Sequence, residues 1–363
     1  MTRVVICCGS GGVGKTTTSA ALALRCAKAG QRVAVLTIDP ARRLADSLGV
    51  GPLGNEPQRV PLNGCHLDAM VLDMKATWDS LVERFAPSDA ERDRILENRY
   101  YRFASTRLAG SHEYMAMERL YELYESGDYD VVLLDTPPSR HAVEFLRAPG
   151  RISGLFDEGV MTWLALPKDS RGFRALERGS EVVTGVLKRL IGRGTIGEIA
   201  EFFDAMQGLW DALSERGNLV EALLKSDETR FFLVTTPAPA ARAEARAFRA
   251  LLEDSGMPLA GFIVNRVAPT PSSAVALAPE VFPPRPPGFD PRSWKDICEG
   301  VARAPRVAAE LAESDRPALE ELAREGVPIW TVPELGRDVH DLESLGAIAE
   351  HLAEVLGQPE ATS

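Results

Sequence analysis

Cysteine is scarce: there are five residues in 363, at positions 7, 8, 26, 65 and 298, too few and too scattered for the disulfide framework of a secreted scaffold. A reducing setting, and hence a cytoplasmic protein, is the expectation. Cys7 and Cys8 fall in an apolar stretch, where a thiol packs as a small hydrophobe. Long apolar runs are lacking too. No stretch approaches the roughly 18 residues of a membrane-spanning helix, and the first residues carry neither the basic flank nor the apolar core of a signal peptide. Positive charge is in deficit, and a net charge of −11 argues against nucleic acid as the main partner. From Asp338 to Ser363 there is no Lys or Arg at all, so the final helical stretch has no basic face for an anionic surface. What the chain does have is 45% hydrophobic residues, ample for a large core.

Apolar residues Val4 to Cys8 lead directly into Gly9-Ser10-Gly11-Gly12-Val13-Gly14-Lys15-Thr16-Thr17. A strand followed by Gly, four residues, Gly-Lys-Thr and then a helix is the context of a phosphate-binding loop. The glycines let successive N–H groups turn inward toward phosphate oxygens, and the helix N-terminus adds partial positive charge. Lys15 then reaches the terminal phosphates, while Thr16 supplies a hydroxyl to Mg²⁺. A second apolar run ends in Asp39-Pro40, and a third, Val131 to Leu134, ends in Asp135-Thr136. A carboxylate at the carboxyl end of a parallel strand faces the nucleotide crevice. On spacing alone, Asp39 either positions the water that attacks the γ-phosphate or caps the helix that follows. Asp135 fits a Walker B residue that holds Mg²⁺ through water.

These motifs, in this order, resemble the arsenical-pump and tail-anchored-protein-targeting ATPases, the ArsA family, within the deviant Walker A class that also holds MinD and ParA. The likeness is carried by Gly11 to Thr17, Asp39-Pro40-Ala41 with Leu44 and Asp46, Met70 to Asp73, Asp135-Thr136 with Pro138 and His141, and Val264-Asn265. Thr236-Pro237 and Val332 to Leu335 extend it into the later chain. The resemblance implies that Asp39 activates water, that Pro137 to His141 form a γ-phosphate-sensing switch, and that Pro333 packs on the base. It also implies a dimer, either of this chain with itself or with a paralogue, closed by nucleotide over a protein client. Ser10 stands where relatives carry a lysine that crosses the dimer interface, so turnover is expected to be slow unless Arg42 or Arg43 supplies the charge; those two read more readily as a solvated pair. The cysteines include no Cys-x-x-Cys pair, so neither a zinc clamp nor an arsenite site is expected.

The fold implied is α/β: one P-loop domain over residues 1–363 with a mostly parallel twisted sheet flanked by helices. Helical material is expected at 74–127, with Trp78, Leu81, Val82 and Phe85 at helical spacing, and at 151–226. Eight prolines between Pro269 and Pro291 mark a loop over 269–291. In the second helical block, Leu155, Phe156, Val160, Met161 and Trp163 form one apolar cluster, and Phe202, Phe203, Met206 and Trp210 another; each is either core or a client surface. Asn265, at a strand end, offers a donor and an acceptor to adenine. Val264-Asn265-Arg266 lacks the Asn-Lys and acidic pattern of guanine readout, so ATP is favoured. A client-handling ATPase heads the functional classes. A MinD- or ParA-like positioning switch and a small-molecule P-loop enzyme are the alternatives.

Overall fold

The computed structural model describes residues 2–39, 41–99, 101, 102, 105, 111–136, 212–271, 282–336 and 338–355. Pro137 to His141, both apolar clusters of the second helical block and part of the proline-rich stretch lie outside them. Residues 282–290 of that stretch form no regular element. Among the described residues no helix is long and apolar enough to cross a membrane.

Eight strands form one sheet, in the order β3-β4-β2-β5-β1-β6-β7-β8. They are β1 (Arg3–Cys8), β2 (Arg32–Thr37), β3 (Gln58–Arg59), β4 (His66–Val71), β5 (Val131–Asp135), β6 (Thr229–Thr235), β7 (Leu259–Val267) and β8 (Ile329–Pro333). All neighbours run parallel except the two-residue edge strand β3, which is antiparallel to β4. Parallel strands are covered on both faces, which is why β1 and β5 read as unbroken apolar runs. Successive side chains go to opposite faces. Val4, Ile6 and Cys8 therefore join one core, and Val5 and Cys7 the other.

On the second face lie α1 (Lys15–Lys28), α2 (Arg43–Leu48) and, near the C-terminus, α9 (Leu342–His351), packed through Leu22, Leu24, Leu44, Leu48 and Leu345. The first face is covered by α3 (Met74–Phe85), α4 (Asp89–Glu97), α5 (Ser111–Ser126), a helix α6 over residues 212–225, and α7 (Pro239–Asp254). Trp78, Leu81 and Val82 of α3 are buried there and Phe85 packs against them, as their spacing requires. Side-chain caps set where several helices begin: Asp73 accepts from the Ala76 N–H and Ser88 from that of Glu91, and each such cap contributes about 1 kcal/mol. The 33-residue α8 (Pro291–Ala323) continues through Pro305 and Pro317 and buries only Ala318 and Leu322.

β1 lies between β5 and β6, so the chain leaves it in both directions. That is the switch point at which open α/β sheets bind ligands, beyond the carboxyl ends of the strands.

Candidate functional site

The loop Gly9 to Thr17 rises from the carboxyl end of β1 at that switch point. A Cβ on Gly9 would stand 2.1 Å from the Val234 carbonyl of β6, so only glycine lets the chain turn this close to its neighbour. α1 begins at Gly14, a left-handed N-cap with φ 95° and no side-chain cap. Its first N–H groups therefore keep the capacity to bind an anion. Lys15 is buried, and its Nζ donates to the Ser10 carbonyl at 2.9 Å. Burial pulls the lysine's pKa down, opposed by Asp135 and Cys8. Gly11 and Gly12 are exposed at the loop's tip.

Strand register brings three elements onto one carboxylate. Asp135 ends β5 directly beside Thr37 of β2 and Cys7 of β1. Its Oδ2 accepts from the Thr16 hydroxyl at 2.7 Å and from the Thr37 hydroxyl at 2.9 Å. Oδ1 is buried and has no hydrogen-bond partner. The residue is 1% exposed, and burial pushes its carboxyl up to about 6 against the pull of the two threonines and Lys15. A bare carboxylate oxygen in an interior is costly unless a charge arrives to meet it. A threonine hydroxyl beside that carboxylate is the hard-oxygen donor set of Mg²⁺, so the residues fit the ion expected from the sequence.

Asp39 is half-buried beyond β2. Its Oδ1 accepts from the Ala41 N–H at 2.9 Å, Arg43 Nη1 lies 3.4 Å from Oδ2, and its own N–H donates to Thr37 Oγ1 at 3.2 Å. The N-cap of α2 is Arg42, without a side-chain cap bond, so Asp39 serves a turn before the helix and not the helix cap. Arg43 is 70% exposed, and the pair is a weak surface interaction. Arg42 is exposed as well.

Asn265 arrives from β7 on the other side of the loop, and Nδ2 donates to the Val13 carbonyl at 2.8 Å. Pro333 closes β8 opposite Val267. The phosphate loop, Asp39, Asp135 and Asn265 thus converge on the carboxyl edge of the sheet. Thr37 is the participant that sequence reasoning passed over. Its signal is a hydroxyl at the end of the apolar run Val33 to Leu36, next to a carboxylate. Cys7, Cys8 and Cys26 are buried free thiols, and burial lifts Cys7 and Cys8 to about 12, consistent with packing.

Residues 2–277 match the family model of the anion-transporting ATPases. The chain is 34% identical over 146 residues to an ATPase GET3 of Malassezia globosa, covering 40% of this chain and 42% of that protein. It is 27% identical over 290 residues to a putative arsenical pump-driving ATPase 1 of Aquifex aeolicus, covering 74% and 64%. A third similar protein, a putative arsenical pump-driving ATPase of Halobacterium salinarum, is 30% identical over 177 residues, 46% of this chain and 27% of that one. The matches thus span between 27% and 64% of these relatives' own lengths.

Proposed function

Because the chain belongs to the anion-transporting ATPase family, we propose that it hydrolyses Mg·ATP and works as a nucleotide-switched dimer that holds or hands over a client. The observation that carries the chemistry is the meeting of Thr16, Thr37 and Asp135 on one buried carboxylate with a bare oxygen. The loop amides and the N-terminus of α1 bind the phosphates. Lys15 exchanges its Ser10 carbonyl for the terminal phosphate oxygens, a charge-assisted contact stronger than the one it leaves. Thr16 and Asp135 would hold Mg²⁺, and the ion would supply charge neutralisation to the bound phosphates. Asp39 orients the attacking water and accepts its proton, and Thr37 ties that aspartate's backbone to Asp135. Asn265 and Pro333 lie at the base end.

The dimer, whether of this chain alone or with a paralogue, and a client on the helical block 74–127 and 151–226 complete the proposal, with the cytoplasm as its setting. Both rest on the family resemblance. Ser10 in place of the relatives' lysine leaves turnover slow unless Arg42 or Arg43 supplies the missing charge.

Lys15→Ala should weaken Mg·ATP binding by about 100-fold or more with an unchanged melting temperature; equal affinity by calorimetry defeats the nucleotide reading. Asp39→Asn keeps shape and loses basicity, so it should bind ATP normally and turn it over slowly. Equal turnover at saturating ATP removes Asp39 from the mechanism. Light scattering of the Asp39→Asn variant with Mg·ATP tests the dimer, and a monomer under every nucleotide condition ends that part of the proposal.

A further inference from the structure

The Asn265 carboxamide is engaged at both ends. Nδ2 donates to Val13 in the phosphate loop, and Oδ1 accepts from the N–H of Arg266 at 2.9 Å. Arg266 is the one non-glycine with a positive φ among the described residues, at 56°, a conformation that costs a side-chain-bearing residue about 1 kcal/mol or more. It sits where the pairing of β7 with β8 shifts between Val264 and Val267. The backbone at the end of β7 is thus held in an unfavourable conformation at the point where Asn265 reaches the loop. From the other side, a Cβ on Gly14 would stand 2.2 Å from Asn265 Nδ2. The glycine at this loop position therefore makes room for the carboxamide as well as for the left-handed turn.

We propose that Asn265 is a positioning residue of the phosphate loop, acting on the phosphates through the Val13–Gly14 peptide and independently of the base. A planar trans peptide directs its C=O and N–H in opposite senses. Fixing the Val13 carbonyl toward β7 therefore fixes the Gly14 N–H away from it, at the first turn of α1, where the anion is received. One N–H on Nδ2 and a lone pair on Oδ1 remain, so a base contact is compatible with this role without being its source. The proposal rests on the nucleotide-binding reading above, but it assigns Asn265 a different target.

The test compares Mg·ATP with Mg·tripolyphosphate, which has the phosphates and no base, in the full-length wild type, Asn265→Ala and Arg266→Gly. Removing one such hydrogen bond should weaken both ligands by a similar factor, about fivefold to tenfold. Loss of ATP affinity with tripolyphosphate unchanged would make Asn265 a base reader and overturn the proposal, as would no loss for either. Hydrogen–deuterium exchange without ligand gives the second readout: the Gly14 amide should exchange faster in Asn265→Ala, and unchanged exchange counts against it. Arg266→Gly keeps the carboxamide in place and should leave both affinities within about twofold. Should Asn265→Ala not fold, Asn265→Ser, too short to reach Val13, takes its place in every arm. If the wild type binds neither ligand, the nucleotide reading fails, and the Gly14 exchange rate still decides the role of Asn265.

Discussion

Two aspartates lie in the same sheet, Asp68 in β4 and Asp135 at the end of β5, and their carboxyls are shifted in opposite directions. Asp68 is 6% exposed. Burial works against its charge, yet Arg59 Nε on Oδ1, the Tyr129 hydroxyl at 3.0 Å and His66 Nε2 at 3.1 Å on Oδ2 outweigh it, and its carboxyl stays below the ordinary range. Asp135 has two hydroxyls on one oxygen and nothing on the other, and its carboxyl rises to about 6. Both side chains are nearly inaccessible to solvent, but Asp135 lies deeper and burial weighs more heavily on it. The second difference is whether the protein itself completes the carboxylate's partners. Where the set is complete the aspartate is a structural tie between β3, β4 and the start of β5. The incomplete set lies at the switch point, beside the phosphate loop, as a perturbed titratable group at a candidate site does.

The sharpest way to break this contrast is to neutralise Asp135. Asn at that position keeps an acceptor for Thr16 and Thr37 and removes the buried charge. A group whose folded pKa is raised is disfavoured in its ionised form by folding, so above about pH 6 the substitution should stabilise the ligand-free protein, on the order of 2 kcal/mol. Mg²⁺-dependent ATP binding should fall by about 100-fold or more at the same time. Denaturant titration at pH 7.5 and calorimetry with and without Mg²⁺ read the two effects. A variant that is less stable would put Asp135 in the same class as Asp68.

Asp68→Asn should do the reverse, destabilising by about 2 kcal/mol at neutral pH, because Arg59 and the Tyr129 hydroxyl lose a charged acceptor, and leaving ATP affinity within about twofold. The sign of its pH dependence is also opposite. A depressed folded pKa contributes stability above the unfolded carboxylate range that is lost as pH falls through the still lower folded range. The gap between wild type and variant should therefore narrow in acid. A gap that is constant from neutral pH down to about pH 3 would show that the carboxylate's charge is not what stabilises β4.

The place of the candidate site was legible in the sequence because its residues are local: Gly9 to Thr17 is contiguous, and Asp39 and Asp135 each follow an apolar run. The flanking helix α3 was legible for the same reason, through the spacing of Trp78, Leu81 and Val82. What was not legible depends on which strands become neighbours. β5 inserts between β1 and β2, and only that insertion puts Thr37 against Asp135. Likewise, only the β6-β7 pairing brings Asn265 to Val13. β3 is two polar residues long, below any periodic signal. α8 carries two internal prolines, which oppose a helix, while along its exposed length Lys295, Glu299, Arg303, Arg306 and Glu310 form ion pairs four residues apart, each adding a few tenths of a kcal/mol.

The smallest expected effect tests whether Asp135 and Asp39, the residue proposed to activate water, are coupled. Thr37 Oγ1 donates to Asp135 Oδ2 and accepts from the Asp39 N–H, so it is the one atom bonded to both. Val keeps the shape and the strand preference of threonine while removing both bonds. Asp135 still holds Thr16 and its charge, so Mg·ATP affinity should stay within about threefold and stability should fall by about 1 kcal/mol. Turnover should fall further than affinity, by up to about tenfold, because the displaced group is the backbone of Asp39. Single-turnover rates at saturating Mg·ATP measure this directly. Combining Thr37→Val with Asp39→Asn then closes the cycle: if Thr37 acts only by positioning Asp39, Thr37→Val should cost little turnover once Asp39→Asn is present. Full additivity would mean that the two carboxylates work independently.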